Sequence, residues 1–153
     1  MKKAAASILV LIFLLSLFSC SKEPSAAEML NDFLYTYGIE GIIYSPDVAE
    51  GKDGYITEEL FKRIYVLEGE VPENSAIFLN PRTDEYIECA IFVTESEDER
   101  ARVSDMCAER IMLIDPTGEH SFILRTKNVV FYSALPDKER ARSVIDEILK
   151  AYY

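Results

Sequence analysis

Ala76-Ile77-Phe78-Leu79, Asn80-Pro81-Arg82-Thr83-Asp84 and Tyr86-Ile87-Glu88-Cys89-Ala90-Ile91-Phe92-Val93 follow one another and decide the fold of this chain. The first run is short and apolar and reads as a strand. The second is a turn pivoting on Pro81, whose ring presets the backbone angle that a turn needs. The third predicts a second strand. Successive strand side chains point to opposite faces, so Ile87, Cys89, Ile91 and Val93 share one face and Tyr86, Glu88, Ala90 and Phe92 the other. Two strands joined by so short a connection pair antiparallel.

The same alternation of signals continues to the end of the sequence. Ser96 with Glu99 three residues on has the pattern of a helix-opening capping box, and the helix runs to about Ile114, closed by Pro116-Thr117-Gly118. His120 to Arg125 predicts a third strand, Lys127-Asn128 a tight turn and Val129 to Leu135 a fourth strand. Pro136-Asp137 starts a last helix carrying Val144, Ile145, Ile148, Leu149 and Tyr152. The expected fold is α+β: an antiparallel four-stranded sheet of two β-hairpins in the order ββαββα, with helices packed on one face. Glu99-Arg100-Ala101-Arg102 recurs as Glu139-Arg140-Ala141-Arg142, so residues 75–153 are repeat-like; duplication and chance both account for one tetrad.

One or two helices precede this core. Ser25, with Glu28, opens a helix bearing Met29, Leu30, Phe33, Leu34 and Tyr37, and Gly38 stops it. Ile42-Ile43-Tyr44 is a short strand candidate. Thr57 caps a second helix with Leu60, Phe61 and Ile64 on its apolar face. Residues 26–153 therefore form a single α+β domain, long enough to bury a core.

The first twenty residues are of another kind. Lys2-Lys3 is followed by fifteen small or apolar residues, Ala4 to Phe18, and then by Ser19-Cys20. A membrane-spanning helix needs about 20 apolar residues, and Ser21-Lys22-Glu23-Pro24 cuts this run short. The order of basic, apolar and small residues before a cysteine resembles a bacterial lipoprotein signal, with Phe18 where a smaller residue is usual. The resemblance implies that residues 1–19 are a signal peptide and that Cys20 takes a diacylglycerol thioether. Residues 20–25 are then a lipidated tether, and the expected location is extracytoplasmic, on the cell membrane or envelope. Two acyl chains suffice for stable anchoring.

Without Lys2 and Lys3, the 16 basic residues fall to 14 against 27 acidic ones, a formal charge of −13 for the mature chain. Nucleic acid is not expected as a partner, because it needs clustered Lys and Arg. An anionic bilayer would repel the domain, which leaves the lipid on Cys20 as the membrane contact. Cys89 and Cys107 lie in apolar stretches and read as buried free thiols, although an exported setting also permits a disulfide.

No cofactor, metal or catalytic residue is assigned. Asp53-Gly54-Tyr55-Ile56-Thr57 looks like half a calcium loop, but Ala49, Gly51 and Leu60 occupy ligand positions. His120 is the only imidazole, and Ser121 beside it points to the opposite face. Glu95, Glu97, Asp98 and Glu99 suit the positive end of a helix dipole. They are also the basis of the alternative function, a small carboxylate-based hydrolase. Tyr86 and Phe92, with Tyr132 as a third member, form an aromatic face. Such a face binds a partner or ligand, or else is the floor for helices.

Thr57-Glu58-Glu59-Leu60-Phe61-Lys62-Arg63-Ile64-Tyr65, Glu88-Cys89-Ala90-Ile91-Phe92-Val93, Met106-Cys107-Ala108-Glu109-Arg110-Ile111 and Val129-Val130-Phe131-Tyr132 with the final helix form one pattern. Over about Thr57 to Lys150 it resembles small bacterial lipoproteins grouped as domain-of-unknown-function family 4358. Tyr65-Val66-Leu67 stands where that family often has Tyr-Gly-Ile. The resemblance implies no activity and no site residue. The expectation is a non-enzymatic interaction module with an unknown protein or small-molecule partner.

Overall fold

The computed structural model describes residues 24–65, 69–80 and 87–153. The expected signal peptide, Cys20, the Pro81 turn and Tyr86 lie outside the described residues. The elements are α1 (Ala26–Tyr37), β1 (Ile43–Tyr44), α2 (Glu58–Tyr65), β2 (Ser75–Asn80), β3 (Ile87–Val93), α3 (Glu97–Ile114), β4 (Ser121–Arg125), β5 (Val129–Ala134) and α4 (Lys138–Tyr152). The sheet is antiparallel and five-stranded, in the order β1-β2-β3-β5-β4. The fold is α+β, with two departures from the expected arrangement.

First, Ile43 and Tyr44 pair with Phe78 and Ile77, which adds a fifth, edge strand to the expected four. Gly54 makes this possible. Its φ is 87°, and a Cβ there would sit 2.3 Å from the Ile43 carbonyl oxygen. Only glycine allows this approach at that backbone angle. The Gly54 carbonyl then accepts from the Ser45 amide at 2.9 Å, tying the 51–55 turn to the end of β1.

Second, the helices do not share one face. α1 and α4 cover one side of the sheet, packing Met29, Leu30, Phe33, Ala141, Ile145 and Leu149 on Phe78, Cys89, Ile91 and Phe131. α2 and α3 cover the other, packing Phe61, Tyr65, Val103, Met106 and Cys107 on Ile77, Ala90, Phe92, Val130 and Tyr132. The reason lies in the central strands. All six residues of β5 and six of the seven in β3 are buried. A strand apolar on both sides needs cover on both sides, and each large apolar side chain buried contributes roughly 1.5–3 kcal/mol. A twofold exchanging the two hairpins runs normal to the sheet and keeps a helix on its face, yet α3 and α4 lie on opposite faces. No rotation therefore superposes β2–β3–α3 on β4–β5–α4, and the shared tetrads sit differently: Ala141 is buried and Ala101 exposed.

Helix ends follow local chemistry in three cases. The Leu60 amide donates to Thr57 Oγ1 (3.1 Å), that of Glu99 to Ser96 Oγ (3.1 Å) and that of Arg140 to Asp137 Oδ1 (2.9 Å). Ser25 differs, since its side chain makes no cap hydrogen bond. Asn74 does that work from across the chain. Its Oδ1 accepts from the Ala26 amide at 2.7 Å, and its Nδ2 donates to the Pro24 carbonyl at 3.1 Å. Tyrosines join α1 to α4. Tyr152 donates to Asp32 Oδ2 at 2.8 Å, the Asp137 amide donates to Tyr37 at 3.1 Å, and the Arg140 guanidinium lies over the Tyr37 ring. The hydrogen bond to Asp32, then burial, pushes the Tyr152 hydroxyl up to about 12.

Candidate functional site

Phe92 and Tyr132 do share a sheet face, and both are wholly buried beneath α2 and α3. They are a floor for helices, which removes them as an open binding face. Around Tyr132 lies a polar network in otherwise apolar surroundings. Arg110 of α3 forks onto Glu88 of β3, Nε to Oε1 at 2.9 Å and Nη2 to Oε2 at 2.6 Å. Tyr132 donates to Glu88 Oε1, and the Tyr65 hydroxyl lies 2.8 Å from that of Tyr132. With Tyr132 donating to the carboxylate, Tyr65 donates to Tyr132. Burial, then the Glu88 charge, holds the Tyr65 hydroxyl well above its ordinary range, so it stays a donor.

This network fastens the last residue of α2, the middle of α3 and two central strands together. Every group in it is matched, and Arg110 also donates to the Ile64 carbonyl at 3.4 Å. Sequence reading put Glu88 on the face of Ala90 and Phe92 and passed over it. The available signal was a carboxylate on an otherwise apolar strand face, which requires a buried cation. Cys89 lies on the α1–α4 side and Cys107 on the α2–α3 side, and both are free thiols. The sheet between them excludes a disulfide. Burial, followed by the Glu88 charge, pushes both thiols well up, which makes them poor nucleophiles.

An open concavity among the described residues lies elsewhere, at the end of the sheet where the β4–β5 hairpin turns. It is an open groove of about 1090 Å³. One wall is the β3–α3 junction with Thr94, Glu95, Ser96, Glu97 and Arg100; another is the hairpin with Leu124, Thr126, Lys127 and Asn128; the third is the end of α4 with Asp146, Leu149, Lys150 and Tyr153. Hydrogen bonds hold the first two walls together. The amide and hydroxyl of Thr94 both donate to the Asn128 carbonyl (2.8 and 3.3 Å), and Arg100 donates to the Lys127 carbonyl. Leu124 and Leu149 supply apolar surface. Among the described residues, no ion pair engages Lys127 or Lys150.

The acidic cluster serves the start of α3. Glu99 Oε2 accepts from the Glu95 amide at 2.8 Å, Glu97 pairs with Arg100 at 3.5 Å and Glu99 with Arg102 at 3.9 Å. His120 is exposed, with Nδ1 3.4 Å from the Pro136 carbonyl. The neighbouring Asp115 holds the α3–β4 turn: its Oδ1 accepts from the Thr117 hydroxyl and its Oδ2 from the His120 amide, both at 2.9 Å. Burial works against its charge. The nearby Ser121 hydroxyl, the His120 amide and the Thr117 hydroxyl outweigh that and lower the carboxyl to about 2. The Asp53-Gly54 segment is a glycine turn leading into the Thr57-capped helix. No helix among the described residues is long and apolar enough to cross a membrane.

Fold and groove together define an α+β domain with both sheet faces covered and an open cleft at one end. No protein-family model, no curated protein and no solved structure matches this chain.

Proposed function

We propose that this chain is a lipid-anchored, extracytoplasmic lipoprotein whose domain is a non-enzymatic binding module, and that the groove at the hairpin end receives its protein or small-molecule partner. The groove carries the reading. It combines apolar surface at Leu124 and Leu149 with the cations of Lys127 and Lys150, which no ion pair among the described residues engages. That chemistry suits a partner presenting an anionic group on an apolar body. The lipid on Cys20 and a short tether would keep the groove close to the membrane surface. Membership of the family 4358 lipoproteins belongs to the same proposal and adds no activity to it.

A photo-crosslinking residue placed in turn at Lys150, Tyr153 and the exposed Met112 tests this in intact cells. A discrete added mass at Lys150 and Tyr153, absent at Met112, supports the reading; equal adducts at all three, or none at the groove, refute it. The alternative, a small carboxylate-based hydrolase, has one observation in its favour: Glu95, Glu97 and Asp146 line the same groove. It requires ester or glycoside hydrolysis that Glu95→Gln and Asp146→Asn abolish without loss of fold.

A further inference from the structure

The groove and the start of the domain lie at the same end of the sheet, and Asn74 connects them. Its Nδ2 donates to the Pro24 carbonyl at 3.1 Å, and its own carbonyl accepts from the Val93 amide at 2.9 Å. The next residue, Thr94, lines the groove and donates to the Asn128 carbonyl in the hairpin turn. On the other side, Tyr152 near the end of α4 donates to Asp32 of α1, and its neighbour Tyr153 lines the groove. Cys20 precedes Pro24 by four residues, which span at most about 14 Å. A lipid on Cys20 would therefore hold the groove end of the domain nearest the leaflet.

The groove presents charges of both signs. Lys127 and Lys150 are exposed, and so are Glu95 and Asp146. Among the described residues, no ion pair engages any of these four, although Asp146 and Lys150 stand one turn apart on α4. Arg100 and Glu97, also in the lining, pair with each other. The groove is thus locally balanced on a chain with 27 acidic and 16 basic residues. Two open cations suit a phosphate, and two open carboxylates suit an ammonium group. A headgroup carrying phosphate alone would meet Lys127 and Lys150 but also face Glu95 and Asp146, and like charges across an interface are unfavourable.

We propose that the groove receives the headgroup of an aminophospholipid from the leaflet that holds Cys20. The phosphate lies against Lys127 and Lys150, the ammonium against Glu95 and Asp146, and the glycerol end against Leu124 and Leu149. This assignment rests on the groove reading and the Cys20 anchor given above, and adds to them the chemical class of the ligand. It also accommodates the acid excess. An anionic leaflet repels the domain as a whole, whereas a zwitterionic headgroup meets a groove without net charge. Anchor and ligand share one membrane, so the effective concentration is high and a weak contact suffices.

The test uses the lipidated full chain in vesicles of equal parts phosphatidylethanolamine, phosphatidylglycerol and phosphatidylcholine. A photo-crosslinking residue stands at Tyr153 or, as control, at the exposed Met112. Met112 lies near the far end of α3, about 22 Å along the helix from Glu97. Mass spectrometry reads which lipid is attached. Lipid adducts should be at least ~10-fold more abundant at Tyr153 than at Met112, and mostly phosphatidylethanolamine. Lys127→Glu with Lys150→Glu should reduce them at least ~10-fold. Glu95→Gln with Asp146→Asn should bring phosphatidylethanolamine down to its share of the vesicle. Equal adducts at Tyr153 and Met112, adducts in proportion to vesicle composition, or capture that the charge reversal leaves unchanged overturn the proposal. So does a chain isolated without lipid on Cys20. The first two comparisons need no charge substitution, so they stand even if a charge variant misfolds. If lipid capture fails while Tyr153 still gains a discrete mass in intact cells, the groove reading stands and the lipid assignment falls. If both fail, the groove reading falls with it.

Discussion

Replacing Arg110 with Met would test how the α2–α3 layer is held to the sheet. The side chain of Glu88 is 5% exposed and that of Arg110 21%. Two charge-assisted hydrogen bonds would vanish and leave a buried carboxylate whose remaining donor in the network is Tyr132. Deleting one partner of a buried pair costs about 3–5 kcal/mol. Water already reaches a fifth of Arg110, so about 3 kcal/mol is expected. That is a large part of the 5–15 kcal/mol by which a domain of this size is typically stable, and lowers its melting midpoint by roughly 10 °C. Glu88→Leu combined with Arg110→Met removes both charges. Tyr132 then keeps Tyr65 as its partner, and stability should return to within about 1.5 kcal/mol of the parent. Urea unfolding followed by circular dichroism measures all four corners of the cycle. A loss below about 1 kcal/mol for Arg110→Met, or a double variant no more stable than Arg110→Met alone, would refute this account of the network.

Other substitutions separate local from long-range causes. Gly54→Ala should cost about 2–4 kcal/mol, because the new Cβ meets the Ile43 carbonyl at an already unfavourable φ, while Gly51→Ala, with φ 80° but open space around it, should cost about 1 kcal/mol; urea midpoints decide between them. Asn74→Ala should destabilise by about 1–2 kcal/mol and Ser25→Ala by less than about 0.5 kcal/mol, reversing the order that the Ser25 cap pattern suggests. Cys89 and Cys107 should resist thiol reagents in the folded domain and react only at the rate of unfolding; fast labelling of either would contradict their burial. Asp115 has a folded pKa of about 2 against an ordinary 3.8. Its carboxylate therefore stabilises the fold above about pH 4, and that contribution, about 1–2 kcal/mol after solvent screening, fades as pH falls towards 2. The stability gap between the parent and Asp115→Asn should narrow over that window, and a gap constant with pH would count against the assignment.

What could be read in the sequence was what depends on neighbours a few residues apart. Thr57, Ser96 and Asp137 each bond an amide three residues on, and each helix start was recognisable from that spacing. The Ser25 pattern looked the same but gave way to Asn74, whose distance along the chain hides it from a local reading. Placing both core helices on one face failed for a related reason. Alternation assigns residues to faces but does not say which faces are covered. Val129-Val130-Phe131-Tyr132 has no polar alternate at all, and that was the sign that β5 is enclosed on both sides. Glu88 carried a similar sign. A carboxylate between buried Ala90, Phe92 and Tyr132 marks a partnered interior rather than an open aromatic surface.

Covering both faces determines where this domain can meet anything else. A sheet with a bare face can recruit a partner onto it, and Phe92 and Tyr132 invited that reading. With α1 and α4 on one side and α2 and α3 on the other, the sheet's contribution to recognition moves to its rim. β1 closes one edge by its shortness, and at the other edge Ser121 and Phe122 of β4 are buried, Ile123 and Leu124 half-buried and Arg125 exposed. A groove opens at the hairpin end, where Lys127 and Lys150 stand on a chain with an excess of acids. Any anionic ligand of the proposed groove should therefore depend on these two cations.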